Sequence, residues 1–263
     1  MPRLAVLGYP VSHSRSPAIH SAALAELGLA GEWTYEAIEV APDGFAKRVQ
    51  AMPGEGFAGA NVTVPHKSAA LALADELSET AREIGAANTL VFAGGEVRAE
   101  NTDAEGLLRA LPASPSEARA LVLGAGGAAR AAVWALLREG ADVTVWNRTG
   151  RRSVDLCAEL GGDAVESFDQ SAFDLLVNTT AVGLGGEDPF VELPLSTDAF
   201  APGQTVVDMV YGAEPTELLR AAAAAGATTV DGIEVLVQQG ALSLETWTAR
   251  PAPLDTMRAA ARA

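Results

Sequence analysis

The stretch Leu121-Val122-Leu123-Gly124-Ala125-Gly126-Gly127-Ala128-Ala129-Arg130 restricts the folds open to this chain more than any other. A short apolar run ends in a glycine-rich turn, and a helical pattern (Ala131, Val133, Trp134, Leu136, Leu137) follows at once. Strand, tight turn and helix is the setting in which Gly-x-Gly-x-x-Gly/Ala acts as a dinucleotide fingerprint. Gly124 permits the turn, Gly126 lets the backbone approach a pyrophosphate, and Ala129 permits close helix–strand packing. The first turn of the helix presents unpaired N–H groups and a positive dipole end to phosphates.

The sequence downstream agrees with that setting. Gly140 closes the helix, and Asp142-Val143-Thr144-Val145-Trp146 alternates as a second strand. It ends at Asn147-Arg148-Thr149, about 20 residues past the glycines, where an NAD-binding fold places an acid on the ribose hydroxyl. No acid stands there. Asn147, Arg148, Thr149, Arg151 and Arg152 suit the extra 2′-phosphate of NADP instead.

With 263 residues the chain is long enough for two modest domains. Mean hydropathy is +0.17, yet no apolar run reaches the 18 or so residues that a membrane span needs. Met1 to Gly8 is too short an apolar run for a signal peptide and reads as a first buried strand. The single cysteine, Cys157, excludes an internal disulfide framework, which points to the cytoplasm. A net charge of −16 argues against nucleic acid or an anionic membrane as partner. An anionic substrate would therefore be captured by local groups against the global field. Lys47 and Lys67 are the only lysines among the basic residues, so a lysine inside a motif stands out.

Leu4–Gly8 reads as a strand, followed by Ser12, His13, Ser14, Arg15 and Ser16-Pro17, with Ser16 as N-cap of a helix from Ala18 to Leu27. Ser14 is not needed for that cap. Trp33–Val40 alternates as a strand, Asp43–Met52 is helical, and Ala60–Val64 is a third strand that Pro65 stops. His66 and Lys67 then stand at a strand's carboxyl end, before a helix from Ser68 to Glu76. A lysine there opposes the helix dipole, which suggests function. Glu79–Ile84 is a short helix, a Gly94-Gly95 hairpin follows, and Asn101, Thr102 and Asp103 precede the helix Glu105–Leu111. Asn88 and Asp103, like Ser14 and Lys67, are polar groups at element ends. Beyond Asn147 come a helix (Ser153–Leu160), strands at Ala164–Val165, Leu175–Thr180 and Thr205–Val210, a helix at Thr216–Ala225 and a strand at Thr228–Val230. A last helix starts near Ile233, with Gln238 and Gln239 expected on a polar face. This alternation implies a parallel sheet.

Taken together, these stretches resemble the shikimate dehydrogenase family of aromatic amino acid biosynthesis. Five blocks carry the resemblance: Ser14-x-Ser16-Pro17; Asn61-Val62-Thr63-Val64-Pro65-His66-Lys67; Ala87-Asn88-Thr89 with Asn101-Thr102-Asp103; Gly124-Ala125-Gly126-Gly127 with Asn147-Arg148-Thr149; and Asp231-Gly232 through Gln239. The resemblance implies an α/β chain of two domains. Residues 1–104 with 236–263 would form a substrate-binding and catalytic domain, residues 105–235 a Rossmann-type NADP domain, with 3-dehydroshikimate in the cleft. By matching position, Ser14 and Ser16 would bind the substrate carboxylate, and Thr63, Lys67, Asn88, Asp103, Tyr211 and Gln239 would line the rest. Gly124, Ala125, Gly126, Gly127, Ala128, Asn147, Arg148, Thr149, Arg151, Arg152, Met209 and Gly232 would hold NADP, with Glu79 a weaker candidate. No metal is implied, and the protein would be a monomer or a homodimer.

The chemistry is coherent on its own terms. Hydride transfer to a ketone builds negative charge on oxygen, and a positioned ammonium stabilises it and can supply the proton. Lys67 and Asp103 are the expected pair. Rival readings are a dual quinate/shikimate dehydrogenase and a non-catalytic shikimate-binding sensor. Intact Lys67 and Asp103, and the lack of an appended DNA-binding segment, argue against the sensor.

Overall fold

The computed structural model describes residues 1–263, which divide into two units: 1–106 with 236–263, and 107–235. In the first unit a six-stranded sheet runs in the order β2-β1-β3-β5-β6-β4. The strands are β1 (Arg3–Gly8), β2 (Thr34–Glu39), β3 (Phe57–Val62), β4 (Glu76–Leu77), β5 (Thr89–Ala93) and β6 (Glu96–Glu100). β1 lies parallel to β2 and β3, whereas β5 runs antiparallel to both β3 and β6. The sheet is therefore mixed, where alternation alone suggested parallel strands. The reason is local: Gly94 and Gly95 both have positive φ, 63° and 88°, and close a two-residue hairpin between β5 and β6.

The helices of this unit are α1 (Ser16–Glu26), α2 (Phe45–Ala51), α3 (Lys67–Leu73), α4 (Glu79–Ile84) and α5 (Asp103–Ala110). On one face of the sheet Leu7, Phe45, Val49, Met52, Val62, Ala70 and Leu90 form a hydrophobic core. Three differences from the sequence reading stand out. Glu76 belongs to the short strand β4 and not to the preceding helix. The helix expected from Glu105 begins at Asp103, because Asn101 Oδ1 accepts the N–H groups of Asp103 (3.0 Å) and Ala104 (3.3 Å). Ser16 is the first helical residue rather than the cap: the N-cap position is Arg15, and Ser14 Oγ accepts the Ser16 N–H at 3.2 Å. Ser14, not Ser16, thus secures the helix start.

The second unit is a parallel sheet in the order β12-β11-β10-β7-β8-β9. Its elements in chain order are β7 (Arg119–Leu123), α6 (Gly127–Arg138), β8 (Asp142–Trp146), α7 (Gly150–Leu160), β9 (Asp163–Val165), β10 (Leu175–Asn178), α8 (Pro189–Glu192), β11 (Thr205–Asp208), α9 (Glu217–Ala224) and β12 (Thr228–Asp231). Counted from β7, that is the 3-2-1-4-5-6 order of a Rossmann fold. Helices cover both faces: Val122, Val133, Leu136, Val145 and Leu156 pack on one side, and Leu121, Leu123, Val206, Leu218 and Phe200 on the other. Buried on both faces, residues 120–123 of β7 and 175–177 of β10 are continuous apolar runs, which is why they were legible.

α10 (Gly232–Thr248) and α11 (Leu254–Arg262) complete the chain. α11 is an amphipathic helix that the sequence reading did not separate from α10. Met257 and Ala261 of α11 are buried, and Met257 and Ile19 of α1 both lie close against Gly240 of α10. Gln238 and Gln239 are buried rather than on a polar face, at 5% and 7% exposure.

Candidate active site

Lys67 is the first residue of α3, held there by the turn after β3, where the His66 N–H donates to Thr63 O at 2.9 Å. His66 itself is buried, stacked on Phe45 and 2.7 Å from Val40 O, so it anchors the turn from beneath. The Lys67 ammonium lies 2.6 Å from Asp103 Oδ2, with only 13% and 12% of the two side chains exposed. Asp103 Oδ1 accepts a hydrogen bond from Asn88 Nδ2 at 2.9 Å. One carboxylate oxygen is therefore tied to a neutral amide and the other to the ammonium, which sets the plane of the carboxylate.

Asn88 is the centre of this arrangement. Its Nδ2 also reaches Thr102 Oγ1 (2.9 Å) and Gln239 Oε1 (3.1 Å), and its Oδ1 accepts the Thr102 N–H at 2.7 Å. Two amide protons face three acceptors, so an acceptor is always left over for another donor. Gln239 reaches Asn88 because α10 approaches α5 at Gly106. A Cβ on Gly106 would sit 2.7 Å from Gln239 Cβ and 2.8 Å from its nitrogen. Beneath, Ser243 Oγ meets Asn61 Nδ2 (2.9 Å), Thr89 Oγ1 (2.8 Å) and Thr102 Oγ1 (3.1 Å), and Tyr35 donates to Asn61 Oδ1 at 2.7 Å. The sequence reading missed Gly106, Tyr35 and Ser243. It also left Asn61 and Thr102 without a role in the network. Local pattern offered no signal, since a serine or tyrosine at these spacings is commonplace.

Ser14 and Thr63 are half-buried in the loops after β1 and β3, and Ser16 is buried as the first residue of α1. Thr63 packs so near Gly8 that a Cβ there would lie 2.5 Å from Thr63 Cγ2. The first unit thus holds Ser14, Ser16, Thr63, Lys67, Asn88, Asp103 and Gln239. It also holds Glu79, exposed in the first turn of α4. Tyr211 belongs to the second unit.

In that second unit Gly124 has φ 112°, and a Cβ on it would lie 2.6 Å from Thr179 Oγ1. Glycine is needed at this position for the turn itself. Gly126 differs. It is extended and exposed, and a Cβ there would meet nothing within 4 Å. Nothing inside the chain demands glycine at 126, whereas a ligand backbone-close to the start of α6 would. The N–H groups of that first turn have no intrahelical acceptors. A phosphate group fits there.

At the end of β8 the turn Asn147-Arg148-Thr149 is pinned by Asn147 Nδ2 donating to Thr149 O at 2.9 Å. α7 starts at Gly150, three residues before the expected Ser153, so Arg151 and Arg152 stand in its first turn. Three exposed guanidinium groups surround this turn, with Arg148 3.8 Å from Glu192 and Arg151 2.8 Å from Asp155. Such side chains are free to rearrange around an anion, because surface pairs of this kind hold them weakly. The donors match a phosphate monoester. Gly232, at the start of α10, has its Cα side against Met209: a Cβ would lie 2.5 Å from Met209 O. That contact alone requires glycine there.

Family models match three parts of the chain: the shikimate dehydrogenase substrate binding domain over residues 6–90, shikimate / quinate 5-dehydrogenase over 107–182, and the shikimate 5′-dehydrogenase C-terminal domain over 232–262. The shikimate dehydrogenase (NADP(+)) of Methanocella arvoryzae is 45% identical, covering 98% of this chain and 97% of that protein. Shikimate dehydrogenase (NADP(+)) of Halobacterium salinarum is 45% identical over 98% of this chain and 97% of its own. Shikimate 5-dehydrogenase of Thermus thermophilus, solved in complex with NADP(H) and shikimate, superposes with a TM-score of 0.90 at 43% identity. That match covers 100% of this chain and 99% of that one. With a Rossmann unit and a Lys–Asp pair held by an amide network, and with relatives matching end to end, the chain belongs to the shikimate dehydrogenase family.

Proposed function

We propose that this chain catalyses the reversible NADPH-dependent reduction of 3-dehydroshikimate to shikimate through Lys67 and Asp103. The observation that carries the assignment is the 2.6 Å Lys67–Asp103 pair, braced on its far side by Asn88. NADP supplies or accepts the hydride when bound. The chain's own residues do the rest. Lys67 holds a positive charge and a proton at Nζ, at the place where oxygen of the substrate becomes negative. Asp103 keeps Nζ aimed through Oδ2 and can accept from the substrate hydroxyl. Asn88 prevents the carboxylate from rotating away. Ser14 and Ser16 would supply neutral donors for the substrate carboxylate, and Thr63, Gln239 and Tyr211 would line the rest of its site. Gly124 to Ala128, Met209 and Gly232 would hold the nucleotide, with Glu79 as a lesser contact. Asn147, Arg148, Thr149, Arg151 and Arg152 would hold the 2′-phosphate.

Substrate and nucleotide would thus be the partners, with no membrane or nucleic acid involved. The single cysteine and the pathway support a cytoplasmic enzyme, acting as a monomer or homodimer. The direct test is NADP⁺ reduction with shikimate, set beside NAD⁺ and quinate. Turnover with shikimate and NADP⁺ far above the other combinations supports the proposal. A preference for quinate favours the dual dehydrogenase, and ligand binding without turnover favours the sensor.

Arg148→Ala tests the cofactor assignment. Losing a charge-assisted contact costs roughly 1.5–3 kcal/mol, so the KM for NADP⁺ should rise at least about tenfold while NAD⁺ use hardly changes. Equal losses for both nucleotides would make Arg148 structural. Ser14→Ala should raise the shikimate KM and leave that of NADP⁺ unchanged. Because Ser14 Oγ, not Ser16 Oγ, accepts a backbone N–H at the start of α1, Ser14→Ala should also cost on the order of 0.5–1 kcal/mol of stability. Ser16→Ala should affect binding without that loss. Denaturant melts beside the kinetics separate the two serines, and reversed behaviour would refute this division of labour.

A further inference from the structure

We propose that Asp208 is a positioning residue whose buried carboxylate fastens the segment 209–216, which carries Met209 and Tyr211, and thereby sets the binding of nucleotide and substrate. The proposal rests on the dehydrogenase reading above. Asp208 stands at the carboxyl end of β11, is 1% exposed, and has no part in the chemistry assigned to Lys67 and Asp103.

Three donors converge on it. Asn178 Nδ2 (2.9 Å) and the Val210 N–H (3.1 Å) both donate to Oδ1, and Thr216 Oγ1 donates to Oδ2 at 2.6 Å. They come from the end of β10, from the start of the segment and from its end, where Thr216 caps α9. One carboxylate therefore ties both ends of the segment to the neighbouring strand. The tie continues sideways: Asn178 Oδ1 accepts from Thr180 N–H (3.1 Å) and Oγ1 (2.7 Å), and Asn178 O accepts the Met209 N–H at 3.0 Å.

The segment needs such fastening because it has no ladder of its own. β11 stops at Asp208 where the sequence suggested Val210, α9 starts at Glu217, and residues 212–215 between them are exposed. Burial pushes the Asp208 carboxyl above the usual carboxylate range, and its hydrogen bonds to Thr216, Val210 and Asn178 oppose that rise. A buried carboxylate is tolerable only with such donors, so the arrangement is all or nothing. An amide in its place would lose the charge on which the three donors converge, and could keep Thr216 only by donating to a hydroxyl that now donates.

The test compares Asp208→Asn, Thr216→Ala and Thr216→Ser with the wild type. It measures KM and kcat for both substrates, the NADP⁺ Kd by titration, the melting midpoint, and amide hydrogen exchange along the chain. Asp208→Asn should raise both KM values and the NADP⁺ Kd by about fivefold or more, as expected for a lost bond to a charged group. kcat should change by less than about threefold, and faster exchange should be confined to 209–216. Thr216→Ser should behave as wild type, and Thr216→Ala should fall between. Unchanged exchange at 209–216 in Asp208→Asn would overturn the proposal, as would a lower melting midpoint with normal KM and Kd. If Asp208→Asn does not fold, the Thr216 pair decides by the same readouts. If the wild type itself fails to oxidise shikimate, the functional reading fails, and exchange with the NADP⁺ Kd still judges Asp208.

Discussion

Replacing Lys67 with alanine is expected to lower kcat for shikimate oxidation by roughly 10²-fold or more, the usual size for an acid–base or oxyanion group. Affinity for shikimate should fall much less. Charge on the substrate oxygen develops only in the transition state, so a group serving that charge appears in kcat. The geometry sharpens the expectation. Because Nζ is 2.6 Å from Asp103 Oδ2 and Asn88 holds the other oxygen, removing the ammonium leaves a buried carboxylate with one oxygen unpaired. Asp103→Asn should also impair turnover. Since the two act as a unit, the double variant should lose less than the sum of the single losses. Near-normal kcat in Lys67→Ala would refute the assignment, and a collapse of affinity alone would make Lys67 a binding residue.

The second large effect concerns stability in acid and comes from a residue outside the chemistry. His20 of α1 is 0% exposed, neither ring nitrogen has a hydrogen-bond partner, and its ring stacks on Tyr35 with centroids 4.2 Å apart. Burial pushes its pKa down from 6.5 to about 3, against a smaller upward pull from the nearby Asn61 side chain. The folded state therefore holds His20 neutral where the unfolded chain would bind a proton. Its contribution is fully present above pH 6.5 and is lost as pH falls from 6.5 towards about 3, at roughly 1.4 kcal/mol per pH unit. By pH 4.5 that amounts to roughly 2–3 kcal/mol. Other groups titrate in the same window, so the informative quantity is the difference from His20→Phe, which keeps an apolar stacked ring without the proton site. Urea melts at pH 7.5 and pH 4.5 should show the wild type losing about 2–3 kcal/mol more than the variant. Parallel losses would show that His20 is not the group responsible.

Tyr35 links this residue to the site, since it stacks on His20 and donates to Asn61. No sequence pattern marks that link. His20 lies on an apolar helix face, Tyr35 in an alternating strand and Asn61 in a motif, and each has an ordinary explanation by itself. The same holds for Ser16. Its place before Pro17 suggested a cap, yet Ser16 is already the first helical residue and Ser14 takes that part. Cap position depends on backbone dihedrals, which Arg15 adopts in the helical region, and residue type alone does not report them.

The Rossmann half was legible because its signals are local. Apolar runs buried on both faces, glycines that punctuate turns and helical periodicity all act within about a dozen residues, and they sufficed for β7, α6, β8 and the basic turn at Asn147 to Arg152. Lys67 and Asp103 were legible as polar groups at element ends, and as a pair only through the resemblance. What they touch was not. Asn88 and Gln239 are 151 positions apart and meet at 3.1 Å because Gly106 lets α5 approach α10. Likewise, Asp208 gathers Asn178 and Thr216 from different elements. Local periodicity determined which elements form and which faces are apolar. The folded chain alone decided which buried polar groups would satisfy one another, because a buried donor or acceptor must find a partner wherever packing brings one, at any distance along the sequence.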